Sequence, residues 1–138
     1  MDIGQLVLSD DAVKIIDDGT WVSDLPGAEG VSLYVTGLAR NQKAQSLIRA
    51  KLDAIMKQTG ADPDDDDRAV AVREVLAEVV LKDWKGLTQD GKPLKYSKKL
   101  ARQWLTTRNG DMLAGLVLTA ATRIDNNTAQ FIENVSKN

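Results

Sequence analysis

The spacing of apolar residues changes near residue 40, and that change restricts the fold more than any other feature of this chain. Before it, Val31, Leu33 and Val35 alternate with Ser32, Tyr34 and Thr36, the period of two expected of a half-buried strand. Thr20 to Leu25 reads as a second strand with Trp21, Ser23 and Leu25 on one face, and the Pro26–Gly30 stretch breaks it. The two form an antiparallel pair joined by a loop of about five residues. Such a pair is marginal alone in water and must pack on something. After Asn41 the period becomes helical. Ala44, Leu47, Ile48, Leu52, Ile55 and Met56 mark one face of a helix ending near Gly60. Ala69, Val72, Val75, Leu76, Val79 and Val80 mark a second, with Trp84 at its end and a Gly- and Pro-containing loop through Pro93. Ser97 caps a third carrying Leu100, Ala101, Trp104 and Leu105. A fourth runs from Asp111 with Leu113, Leu116, Val117, Ala120, Ala121 and Ile124 inward. Asp125, Asn126 and Asn127 interrupt it before Phe131, Ile132 and Val135. A short helix after Ser9 ends at Asp18-Gly19. The expected fold is α+β, mainly α: a small N-terminal two-stranded β-element followed by a four- to five-helix bundle. At 138 residues this is the length of one ordinary domain, with residues 1–40 as the β-containing element and 41–138 as the helical part.

The chain has no Cys and no His. Zinc fingers, thiol chemistry and Ser-His-Asp or Cys-His nucleophile systems are therefore excluded. The opening residues lack the basic flank and apolar stretch of a signal peptide. No apolar run approaches the ~18–20 residues that span a bilayer. A soluble domain without membrane contact is expected. Asp62, Asp64 and Asp66 have the spacing that opens a calcium loop, but its sixth and twelfth positions would be Asp67 and Arg73 instead of Gly and Glu. The acidic run instead suits the start of the following helix. Glu74 and Glu78, four apart, read as a solvent-facing pair, and no Gly-rich phosphate loop is present. Neither an enzyme nor a bound cofactor or metal is expected.

Charge is segregated along the chain although the net is only −2. Residues 1–37 carry seven acids and one base, and residues 84–108 carry seven bases and one acid. Neighbours of opposite sign attract within the chain or between copies. Within the second segment Lys92, Lys95, Lys98, Lys99 and Arg102 accompany Tyr96 and Trp104. Basic groups interleaved with aromatics also suit a nucleic-acid backbone. A pI near 5.1 is the wrong sign for a dedicated binder, and Trp84 and Trp104 fit a core better. These five basic residues are read as a docking surface for an acidic protein segment, the alternative being a plain solvated face, and no role in binding nucleic acid is expected.

Several stretches together resemble the tail assembly chaperones of long, non-contractile-tailed bacteriophages and related prophages. They are 6–10 (LVLSD), 18–22 (DGTWV) with 25–27 (LPG), 31–37 (VSLYVTG), the long block 83–97 (DWKGLTQDGKPLKYS) and 100–106 (LARQWLT). The likeness runs in order through most of the chain and is weakest at 59–68 and beyond Asn126. Many members of that family have Asp-Pro-Asp-Phe where this chain has TRNG at 107–110, which alters the turn there. The resemblance implies a non-catalytic protein of the host cytoplasm, made before tail assembly and absent from the finished virion. It would coat the aggregation-prone tape-measure protein, help recruit the major tail protein around it, and associate with itself. The rival reading is a virion structural component such as a tail-completion or head–tail connector protein.

The same resemblance implies a second, longer product made by ribosomal frameshifting near the end of the gene. Ser136, Lys137 and Asn138 are encodable as TCA-AAA-AAC, a run of A on which both decoding tRNAs re-pair one base upstream. Sequencing the gene tests this. An unbroken A tract, with a minor longer product in expressing cells, is the expected outcome. Codons that interrupt the tract, with no other slippery run before the stop, would exclude slippage here.

Overall fold

The structure is a computed structural model that describes residues 1–137, without the side chains of Asn127, Ala129, Gln130 and residues 133–137. The inward assignment of Val135 and the tract at 136–138 lie outside the described residues. Four helices start where a short polar side chain accepts a free amide of the first turn. Ser9 accepts from Ala12 N (3.1 Å) ahead of α1, Asp10–Asp18. Asn41 accepts from Ala44 N (3.2 Å) ahead of α2, Gln42–Thr59. Asp64 and Asp67 cap each other's amides reciprocally to open α3, Asp65–Val75. Ser97 accepts from Leu100 N (3.2 Å) ahead of α4, Lys98–Leu105. The last helix, α5, is Asp111–Lys137.

A three-stranded antiparallel sheet lies among these helices in the order β1 (Thr20–Val22), β2 (Ser32–Val35), β3 (Leu81–Lys85). A separate hairpin pairs β4 (Thr88–Gln89) with β5 (Lys92–Pro93). The inner face of the sheet carries Val22, Leu33, Val35, Leu81 and Trp84, all buried. It forms one core with Leu76 and Val80, with Ala101 and Leu105 of α4, and with Val117, Ala120, Ala121 and Ile124 of α5. The chain is α+β and mainly α.

The third strand is the main departure from the sequence reading. Helix α3 stops at Val75, one π turn spans Leu76–Val80, and Leu81 then turns extended (φ −82°, ψ 120°). Opposite β2, Leu33 faces Trp84 and Tyr34 faces Asp83, but Val35 faces Leu81. Lys82 is the extra residue of a β-bulge. The bulge puts Leu81 and Trp84, three apart in sequence, on the same buried face. Their spacing therefore mimics a helix and hides a strand. Trp84 ends no helix; it sits in the sheet. Because β3 comes from the second half of the chain, the β-element is not confined to residues 1–40.

Two smaller differences have local causes. In β1 it is Val22 that points inward. Asp24 takes φ +55°, which breaks the alternation and carries Leu25 to the buried side. Trp21 lies on the outer face, edge-on to Tyr34 at 5.3 Å between ring centroids. The strands also stop earlier than expected, so residues 23–31 separate them. The second concerns α5, which Asp125 does not interrupt. Its carboxylate is buried and accepts the amides of Leu38 (3.0 Å), Ala39 (2.9 Å) and Arg40 (3.2 Å). The turn between β2 and α2 is thus clasped by a helix more than eighty residues away. Gly37 is required beside it, since a Cβ there would collide with the Asp125 carboxylate and Ile16.

Asp125→Asn keeps the size of the side chain but places an amide group among three donors. Hydrogen bonds to a charged acceptor contribute roughly 1.5–3 kcal/mol each at most, and not additively. A loss of about 2–4 kcal/mol is expected, read as a lower midpoint of urea unfolding. An unchanged midpoint would show that the clasp contributes nothing.

Candidate functional site

The basic segment rests on an aromatic frame. Trp84 is 4% exposed, and its Nε1–H donates to the Leu94 carbonyl at 2.8 Å. Tyr96 meets the Trp84 ring edge-on at 5.0 Å, and half-buried Trp104 stacks beside it at 6.3 Å with 24° between planes. The Tyr96 hydroxyl donates to the Leu81 carbonyl at 3.3 Å. Burial, and secondarily the charge of Asp83, push the Tyr96 phenol above its ordinary pKa. Each buried polar tip has a partner, as aromatic side chains of this kind require. The loop through Leu94 and Tyr96 is thereby held against β3.

On that frame Lys92, Lys95, Lys98 and Lys99 are exposed, and none has a carboxylate within ion-pair distance among the described residues. Lys98 and Lys99 occupy the first turn of α4, which contains no acid. Positive charge there opposes the helix dipole, an unfavourable placement of roughly 0.3–1 kcal/mol per charge. An anionic partner would relieve it.

Arg102 differs from the other four. Its Nη1 lies 2.7 Å from Glu78 Oε1. Glu78 also meets Lys51 Nζ at 3.2 Å, and Lys51 reaches Glu74 at 2.9 Å. Glu74 and Glu78 are therefore not a free solvent-facing pair. They join α2 to the α3 segment and to α4. The Arg102 hydrogen bond, then those of Lys51, hold the Glu78 carboxyl below its usual range. The Glu74 hydrogen bond, helped by Glu78, raises Lys51 despite its partial burial. Arg102 is tied into the frame, whereas the four lysines make no ion pair among the described residues.

Sequence reasoning missed two further members of this face. Lys43, near the start of α2, and Lys82, the bulge residue of β3, line a cleft of ≈ 280 Å³ with Lys98 and Tyr96. Asp17 and Glu78 share its wall, and Lys82 Nζ donates to the Asp18 carbonyl at 3.1 Å. Single lysines far apart in sequence gave no local signal; only the bulge and the packing of α2 and α4 on the Leu76–Val80 turn bring them together. Among the described residues no group of three or more carboxylates gathers to hold a metal. No helix among them is long and apolar enough to cross a membrane.

Residues 37–138, from the clasped turn through α5, match the family model described as YdaY prophage protein. No curated protein and no solved structure matches the chain.

Because the folded state holds Glu78 more acidic than the unfolded chain does, its ion pairs contribute fully above about pH 4.3. They are lost as the pH falls through the depressed folded value. Wild type should exceed Glu78→Gln in stability at neutral pH, and the difference should close on acidification. Urea unfolding at several pH values reads this. A difference that stays constant with pH would show that it does not come from the ion pairs of the Glu78 carboxylate.

Proposed function

This chain belongs to the YdaY prophage protein family, and we propose that within it the chain acts as a non-catalytic tail assembly chaperone. It keeps the tape-measure protein soluble in the host cytoplasm, helps recruit the major tail protein, associates with itself, and leaves before the virion is complete. The observation that carries this reading is the exposed face of Lys92, Lys95, Lys98 and Lys99 on an aromatic frame, with no carboxylate in ion-pair distance among the described residues. Such a face accelerates encounter with an acidic protein surface and adapts to many sequences. Exposed apolar side chains, including Val13, Met56, Val70 and Met112, supply adhesive contacts of the kind a holding protein needs. The likeness of residues 83–106 to the tail assembly chaperones, set out above, gives the partner its name. No step of this activity requires a nucleophile or cofactor.

Co-expression with the tape-measure protein tests the reading. Tape-measure protein should be soluble with this chain and aggregated without it, and purified virions should lack the chain. Tape-measure protein equally soluble alone, or the chain retained in virions, would count against the proposal. Retention would favour the virion component. Reversing the four lysines to Glu removes pairs worth up to about 1 kcal/mol each. Roughly thirty-fold weaker binding, a total of about 2 kcal/mol, is expected, along with a loss of salt dependence. Unchanged affinity would move the binding surface elsewhere.

A further inference from the structure

An apolar groove opens where the β4–β5 hairpin meets the turn between α4 and α5. Its walls are Leu87, Leu94, Trp104 and Leu113, all half-buried, and its volume is ≈ 270 Å³. Gly110 lines it, and a Cβ there would collide with the Trp104 carbonyl, so no side chain from this position fills the space. Exposed basic residues flank the groove in sequence. Lys92 and Lys95 lie either side of Leu94, and Arg108 begins the 3₁₀ turn Arg108–Gly110. Met112, 87% exposed, precedes Leu113 on α5.

The chain also carries a segment of complementary character. Asp2 accepts the Gly4 amide at 3.0 Å and opens a 3₁₀ turn, Ile3–Gln5. The amides of Leu6 and Val7 both return to the Ile3 carbonyl at 2.9 Å. Ile3, Leu6 and Val7 therefore have the i, i+3, i+4 spacing of a single apolar ridge. They are 66%, 69% and 59% exposed. Residues 1–13 contain Asp2, Asp10 and Asp11 and no base. A segment with an exposed apolar ridge and acidic residues beside it thus complements an apolar groove with basic flanks.

We propose that the segment Asp2–Leu8 of one copy docks its Ile3, Leu6 and Val7 ridge into the Leu87–Leu94–Trp104–Leu113 groove of a second copy. The proposal rests on the self-association in the reading above and is independent of the tape-measure cargo. None of residues 2–8 lines the groove of its own chain. The segment leads into α1, whose Ile16 lies against Gly37 beside Asp125. Asp125 is twelve positions along α5 from Leu113, about 18 Å of helix. A contact between different surfaces of identical copies is heterologous, and it propagates into a ring or an open filament. A ridge of helical spacing laid into an apolar groove is an established mode of peptide recognition. The surrounding charges fix its direction and make it sensitive to salt.

Sedimentation velocity of the full chain over a range of concentrations tests this, using three proteins: wild type, Leu6→Asp/Val7→Asp, and Leu87→Glu. The first variant alters only exposed side chains, and circular dichroism checks that the second remains folded. Wild type should form dimers and longer species, and each variant alone should associate at least about ten-fold more weakly. An equimolar mixture of the two variants should form a heterodimer and nothing longer, because one sound ridge meets one sound groove. Wild type that stays monomeric, or a ridge variant that associates like wild type, would overturn the proposal. So would a mixture that recovers no heterodimer. Tape-measure solubility measured in parallel separates the two claims. If the ridge variant still solubilises tape-measure protein, the cargo-holding part of the chaperone reading stands whatever the sedimentation shows.

Discussion

The carboxylate of Asp125 holds three successive backbone amides, and the positions of the sheet, α2 and α5 all depend on that contact. Leu38, Ala39 and Arg40 leave β2 with their N–H groups turned toward α5. In the interior such donors are costly unless paired, and a charged acceptor pairs them best. The same turn is satisfied from its other side. Thr36 Oγ1 donates to the Gly37 carbonyl (2.8 Å), and Asn41 Nδ2 donates to Thr36 Oγ1 (3.0 Å). Asn41 Oδ1 meanwhile caps α2, and Gln45 Nε2 donates to the Leu38 carbonyl at 2.9 Å. No buried side-chain nitrogen or oxygen among the described residues lacks a partner. A fully satisfied network of this kind specifies one arrangement, because slipping any member strands the others. The family match begins at Gly37, the first residue of this turn.

A second division of labour follows from charge. The basic cluster contains two kinds of residue. Arg102 and Lys51 are joined to Glu78 and Glu74 in one chain of ion pairs across three segments. Lys92, Lys95, Lys98 and Lys99 are not. Arg73 similarly ties α3 to the turn before α5, bonding the Leu105 and Thr107 carbonyls and the Asp111 carboxylate. The paired residues fix the frame, and the unpaired ones face outward from it. The acidic run of residues 64–67 is absorbed by the start of α3 through its reciprocal caps, as helix-start electrostatics requires.

Where local chemistry decides the outcome, the sequence was readable. Ser9, Ser97 and the Asp run act at helix starts as their positions imply, and Val31, Leu33 and Val35 are buried together. The buried role of Trp84, with its N–H on a carbonyl, was legible from its size and single donor. What stayed hidden required long-range pairing. A bulge at Lys82 gives a strand the spacing of a helix, and only β2 alongside reveals it. Asp125-Asn126-Asn127 reads as a helix breaker because such side chains compete for backbone amides. Asp125 does take backbone amides, but those of a turn far away in sequence, so the helix continues. The cleft that adds Lys43 and Lys82 to the basic face depends on the same tertiary packing.

The β2–α2 turn and α5 form one locked unit that carries the proposed lysine face and groove. Amide hydrogen exchange at Leu38, Ala39 and Arg40 measures this directly. These three amides, although they lie in a turn, should exchange only through global unfolding, as slowly as the core of the sheet. Exchange at the rate of an open loop, while Leu33 and Val35 stay protected, would contradict it.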